Sequence, residues 1–228
     1  MKTQLEFYIE ETARRLKRLH EIVSLAFTES IRAFSGLDTD LAHQVKDMSD
    51  DIEELSVRIE DNVLETIARR QPVARDLRAL ATYLYVSHHL YRVGRYAYKI
   101  AHITILCKDL EHYKELESIP HLEELAMITL KIAMDGILKG DLSRIDELEK
   151  MESESDHETS GMFEEIVEYL RKRQDITTMS MFYIIIGRYC ERAADYAFAI
   201  AERAVYMHTG ERKKLGLAYK GSASDAPH

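Results

Sequence analysis

A chain of 228 residues with 31 Lys and Arg against 40 Asp and Glu carries a formal net charge of −9, which excludes a general nucleic-acid binder with its basic footprint. Only three prolines, nine glycines and no tryptophan are present, a composition that favours helix because breakers are scarce and straight-chain residues lose little rotamer freedom there. Cys107 and Cys190 stand far apart with no CxxC pair, which points to reduced thiols in a cytoplasmic setting.

In chain order, the first helix is expected over about 5–34, stopping before Ser35-Gly36-Leu37-Asp38. The N-terminus ahead of it, Met1-Lys2-Thr3-Gln4-Leu5-Glu6, lacks the apolar run of a signal peptide. A second helix is expected over 39–70, with Asp38 before it as a cap. Gln71-Pro72 breaks the chain, and Pro72 suits the first position of a third helix over 73–107, with Asp76 in its opening turn. Pro120 starts a fourth helix ending near Lys139-Gly140. Asp141 is placed to cap a fifth over 142–173, and Asp175 a sixth over 176–208. Within the sixth, Met179–Gly187 is the most apolar stretch of the chain, about half of the roughly 20 residues that a membrane helix needs. From Gly210 no apolar face repeats, so 210–228 reads as a disordered tail.

An internal repeat organises these segments. At an offset of 100 positions, Tyr91–His102 aligns with Glu191–Glu202, pairing Arg92 with Arg192, Tyr96 with Tyr196, Ala97 with Ala197, Ile100 with Ile200 and Ala101 with Ala201. Tyr98 and Phe198 are similar. Five identities in twelve positions, in matching helix order, indicate duplication. The expected fold is therefore all-α: two tandem antiparallel three-helix bundles, 1–110 and 111–209.

Acids interrupt the expected core. The apolar line of the fifth helix runs Ile145, Leu148, then Phe163, Ile166 and Leu170, and steps of three and four place Glu152, Asp156 and Thr159 in its gap. On the sixth helix, Glu191 and Asp195 repeat the one-turn spacing on the side opposite the main apolar stripe. That side also carries Ile184 and Phe198, so the helix is apolar on two sides and central. Two facing pairs would give four carboxylates, hard oxygen donors suited to Mg, Ca, Mn or iron. Solvated faces and an arginine-paired network are the competing readings of the same spacing.

The run Arg70-Gln71-Pro72-Val73-Ala74-Arg75-Asp76-Leu77-Arg78 resembles the RQP-x-A-x-DLR element of PhoU proteins, Glu191-Arg192-Ala193-Ala194-Asp195 their ER-[IA]-x-D element, and Glu152-x-x-x-Asp156 the partner acidic motif. The resemblance reaches to about Gly210 and includes the doubled three-helix layout. It implies a non-enzymatic negative regulator of phosphate uptake and signalling, acting with the phosphate-specific ABC transporter and its sensor histidine kinase. Such a protein would be cytoplasmic, peripheral to the membrane through partners alone, and compatible with a homodimer. The resemblance further implies divalent or trivalent metal ions, including multinuclear iron clusters, held by Glu152, Asp156, Glu191 and Asp195. It assigns Arg70, Gln71, Pro72, Asp76 and Arg78 to the family motif and partner contact.

The first repeat departs from that pattern. Tyr91 and Arg95 stand where Glu191 and Asp195 would repeat, and Ser49 and Glu53 where Glu152 and Asp156 would. A guanidinium cannot bind a cation but forks onto a carboxylate, so the expectation is an Arg95–Glu53 salt bridge in place of a first metal. Elsewhere, Glu154-x-x-His157 resembles a di-iron motif but has no second copy to pair with it. His88, His89 and His102 read as packed or surface residues, and Arg212-Lys213-Lys214 as part of a solvated terminus. No phosphate loop or Ser/His/Asp set is present in the sequence. A carboxylate-bridged metalloenzyme and an accessory protein of a different phosphate permease are the alternatives.

Overall fold

A computed structural model describes residues 3–215, all-helical among those residues: α1 (Gln4–Gly36), α2 (Thr39–Arg70), α3 (Ala74–Leu106), α4 (Ser118–Lys139), a 3₁₀ turn (Ile145–Glu147), α5 (Leu148–Lys172) and α6 (Thr177–Thr209). Among them no helix is long and apolar enough to cross a membrane.

The helix ends follow local chemistry. Thr3 and Glu6 close a capping box on α1: Glu6 N–H donates to Thr3 Oγ1 at 3.2 Å, and Thr3 N–H donates to Glu6 Oε2 at 2.8 Å. The stop falls on Leu37 in the left-handed region (φ 49°) rather than on Gly36, because the Leu37 side chain packs against the core. Asp38 then caps α2, accepting from Leu41 N–H at 2.9 Å. Pro72 does not open α3: the helix begins at Ala74 (φ 46°), after Gln71 has ended α2 in the same left-handed region (φ 47°). Gly140, at φ 71°, ends α4.

The start of α5 differs more. Asp141 accepts from Ser143 N–H (3.0 Å) and Oγ (2.7 Å), closing a turn instead of capping a helix. The chain passes through the 3₁₀ turn before α5 opens at Leu148. Asp175 likewise pairs with Arg173 (Nε–Oδ1 3.2 Å) and leaves the α6 N-terminus without a side-chain cap.

α1, α3, α4 and α6 form the middle of the molecule, with α1 on α4 and α3 on α6; α2 flanks one side and α5 the other. The core is continuous through both bundles, from Leu16, Phe27 and Phe34 to Leu130, Tyr183 and Ile200. His112 pins the connection between the bundles. Its Nε2 lies 3.0 Å from the Phe34 carbonyl, so that nitrogen donates, and Nδ1 accepts from the Tyr183 hydroxyl at 2.8 Å. Cys107 and Cys190 are both buried and free, and burial pushes the Cys107 thiol up to about 11 and the Cys190 thiol up further.

α5 is the lightly held helix: Leu148, Ser155, Met162 and Ile166 are its buried residues. Its inward line therefore runs through Ser155 and Met162, not through Asp156 and Phe163, a rotation of about 100°. Phe163 is 48% exposed as a result. The cause is a tertiary key: Met162 enters a notch at Gly187, where an added Cβ would lie 2.4 Å from the Met162 methyl.

Residues 210–215 of the expected tail are described and folded back: Leu215 is buried, and its N–H donates to Glu202 Oε1 at 2.9 Å. The remaining tail positions, 216–228, lie outside the described residues.

Candidate functional site

Glu191 and Asp195 stand one turn apart on α6. Glu191 is engaged by Arg188 on the same helix. Much of Asp195 is open to solvent, yet its carboxyl is held above the usual carboxylate range. Burial of the carboxyl contributes most, followed by the charge of Glu191 and, at a smaller level, Glu152 across on α5; Arg188 and Arg192 act in the opposite sense. Glu152 is half-buried, whereas Asp156 faces outward as the rotation of α5 requires.

The donor chemistry suits a hard cation, and like-charge crowding at Asp195 is what a cation relieves. The geometry does not close on one: among the described residues no three or more of His, Cys, Asp and Glu gather closely enough to hold a metal ion. Three of the four acids thus share an electrostatic neighbourhood without forming a coordination shell.

In the first repeat, Arg95 does not take the partner expected of it. Its Nη1 donates to Ser49 Oγ at 3.4 Å, and the guanidinium lies over the Tyr98 ring, 4.8 Å from the centroid. Glu53 is exposed, and among the described residues no ion pair joins it to Arg95. The outward direction of Glu53, one turn beyond buried Ser49, explains the choice.

The repeated residues themselves meet. α3 and α6 run antiparallel through the centre, and Arg92 Nε donates to the Tyr196 hydroxyl at 3.3 Å. Burial alone would raise the Tyr96 hydroxyl, but Tyr196, Arg192 and Arg92 beside it hold it below its ordinary value. The rings form a ladder: Tyr189 on Tyr96 (5.1 Å, 14°), Tyr96 on Tyr196 (6.1 Å, 12°), and His89 on Tyr196 (4.9 Å, 25°). His89 and Tyr189 are themselves 100 positions apart, so the seam is an internal two-fold: Tyr96 meets its own counterpart Tyr196 at the middle, and His89 and Tyr189 flank the pair in equivalent places. Arg92, Tyr96 and their repeats were visible as identities; His89 and Tyr189 were missed because they differ in type. The ladder and nearby charges leave His89 neutral. Burial first, then His88, Arg203 and Arg92, bring its pKa down to about 4. His88 and His102 are exposed. Glu154 faces His121 of α4 at 3.3 Å instead of acting with His157.

The RQPVARDLR run occupies one end of the molecule. Arg70 lies over Tyr8 at 5.3 Å, Gln71 and Ala74 hold left-handed conformations around Pro72, and Asp76 sits in the first turn of α3. Arg78 reaches the end of α6, where a Cβ on Gly210 would lie 3.7 Å from its guanidinium carbon. Val73 is 74% exposed and Leu77 is exposed beside it. Along α6 this end is about 22 Å from Asp195, at 1.5 Å per residue.

A family model described as the PhoU domain matches residues 16–104 and again 119–204, once over α1–α3 and once over α4–α6. The chain belongs to the PhoU family. A PhoU homologue of Thermotoga maritima, named as a phosphate-specific transport system accessory protein, is 27% identical over 207 residues, covering 90% of this chain and 88% of that protein. The crystal structure of PhoU from Pseudomonas aeruginosa superposes with a TM-score of 0.86 at 25% identity, covering 91% of this chain and all of that one. The regulatory protein PhoU from Streptococcus pneumoniae shares the fold at a TM-score of 0.82 and 22% identity, covering 93% of this chain and all of that one.

Proposed function

We propose that this chain is a non-enzymatic, cytoplasmic negative regulator of phosphate uptake and phosphate signalling. In this reading it docks on the phosphate ABC transporter, its sensor histidine kinase, or both. The observation that carries the reading is the correspondence, over 90% of this chain and 88% of the relative, with a protein named as an accessory protein of phosphate-specific transport, extending through both repeats. The structure supports a docking role through the exposed Val73, on the strained Gln71–Ala74 link between α2 and α3, and the exposed Leu77 in the first turn of α3. Deleting the gene in phosphate-replete cells is expected to switch on a phosphate-starvation reporter, and affinity capture of the full-length protein to recover transporter or kinase subunits. A silent reporter with neither subunit captured would reject the reading.

Metal binding belongs to the same proposal. Glu152, Asp156, Glu191 and Asp195 would supply the oxygen donors, with α5, the lightly held helix, moving to bring Asp156 toward α6. Elemental analysis of wild type against Glu191→Ala/Asp195→Ala tests this, and equal metal content in the two proteins would remove the assignment.

A further inference from the structure

The far end of α6 concentrates positive charge that the regulatory reading does not use. Gly210, at φ 81°, turns the chain out of the helix in the left-handed region that favours glycine. Residues 211–215 then return along α6, held by the bond from Leu215 N–H to Glu202 and by Lys214, whose Nζ lies 3.3 Å from Glu202 Oε2. The return closes a cavity of about 130 Å³, whose walls hold Arg203, Arg212, Lys213 and Lys214 with Glu202 as the one acid.

Two of the cations are placed by aromatic faces. The Arg203 guanidinium lies 4.1 Å from the Tyr85 ring centroid and that of Arg212 4.7 Å from Tyr206, and both rings line the same cavity. A ring face holds a guanidinium without using its N–H groups, which remain able to donate to a ligand. Among the described residues neither arginine has a carboxylate within ion-pair distance, and the nearest to Lys213 is Asp146 at 3.9 Å, on a side chain 95% exposed. Lys214 and Glu202 offset one another. Three positive charges are therefore left facing one small concavity on a chain whose formal net charge is −9. A bound anion would neutralise this local excess of positive charge.

The donors name the anion, and a concavity of about 130 Å³ has room for a tetrahedral oxyanion between them. Guanidinium forks match phosphoryl oxygens two at a time, and an ammonium adds a point charge. We propose that this cavity binds a single phosphoryl group, as inorganic phosphate or on a small phosphorylated compound, held by Arg203, Arg212 and Lys213. The assignment stands on these residues alone and does not depend on the regulatory reading.

Equilibrium dialysis of the full-length protein with radiolabelled inorganic phosphate at low ionic strength tests it, with glycerol 3-phosphate as competitor. The expected result is saturable binding of one phosphate per chain, weakened at least tenfold in Arg212→Gln/Lys213→Gln. Both substituted side chains are exposed, so unchanged helical circular dichroism is expected in that variant. Arg203→Gln, a single change elsewhere in the cavity, should weaken binding in the same direction. Displacement by glycerol 3-phosphate at lower concentration than by unlabelled phosphate would assign the site to phosphorylated compounds, and the reverse order to the free ion. No saturable binding of either ligand, equal affinity in wild type and variants, or binding to phosphatidylglycerol vesicles alone would overturn the proposal. So would loss of binding in Asp195→Asn with affinity retained in Arg212→Gln/Lys213→Gln, because the anion would then depend on the acidic pair.

Discussion

Arg95 Nη1 donates to Ser49 Oγ at 3.4 Å across α2 and α3, and the positions that repeat these two in the second bundle are Asp195 and Glu152. There the same meeting place holds two carboxylates, and Glu152 is among the charges that lift Asp195. Duplication therefore preserved the juxtaposition while its chemistry diverged: a cation on a hydroxyl and a tyrosine face in one copy, anion against anion in the other.

Since Arg95 uses Ser49 and Tyr98 rather than an acid, its worth should be small and independent of Glu53. Arg95→Ala is expected to cost about 1 kcal/mol, the scale of one hydrogen bond with a cation–π contact. Glu53→Gln should fall within about 0.5 kcal/mol of wild type, as surface changes do. Urea unfolding of the single and double variants checks both. A coupling energy between Arg95 and Glu53 above about 1 kcal/mol would restore the ion pair that the structure lacks.

The raised carboxyl of Asp195 predicts a gain on neutralisation. A carboxylate whose folded pKa lies above its unfolded value favours folding only when protonated, so that contribution is present below the unfolded pKa and is lost as pH rises through the folded one. At pH 7 the charged group is a liability. With chelator present, Asp195→Asn should stabilise the protein by about 0.2–0.5 kcal/mol, the cost of a like-charge pair one helical turn apart. The gain should fade as pH falls through the raised folded pKa and vanish below about pH 4, the unfolded value, where both states are protonated. With a metal bound the sign reverses, because the variant loses a ligand. Melting curves with and without chelator separate the two cases.

What the sequence made legible was periodic and local. The bounds of α2 matched the expectation from Asp38 and Gln71-Pro72, and the five identities at offset 100 marked the α3–α6 seam. Less legible was anything set by tertiary contact. The facing of α5 depends on Met162 finding Gly187, a meeting between residues on different helices that no pattern within either helix encodes. Leu37 ends α1 in a conformation glycine adopts more easily because its side chain has somewhere apolar to go. The candidate acids were readable as spacing, but which of them face α6 was fixed by the same rotation.

That rotation can be attacked directly. In Gly187→Ala the new Cβ meets the Met162 methyl at 2.4 Å. Since that methyl is the end of a flexible side chain, the expected cost is about 1–3 kcal/mol, typical of overpacking. The damage should be confined: amide exchange should rise along 148–172 while α4 and α6 keep their protection. A uniform loss of protection over all six helices would mean that α5 is held by more than this contact.

His89 supplies a pH dependence of its own. Its pKa is brought down to about 4 by burial, His88, Arg203 and Arg92, whereas in the unfolded chain it is about 6.5. The folded protein therefore binds fewer protons than the unfolded one between those values. The stability from keeping His89 neutral is complete above about pH 6.5 and is lost as pH falls toward 4. Allowing for the partial exposure of the ring, this amounts to about 2 kcal/mol over the window. His89→Phe keeps a ring to stack on Tyr196 and has nothing to protonate. Denaturant midpoints for wild type should drop more steeply than for His89→Phe between pH 7 and 4.5, with the curves converging at neutral pH. Parallel curves would mean that the imidazole titrates in the folded seam as it does in the unfolded chain.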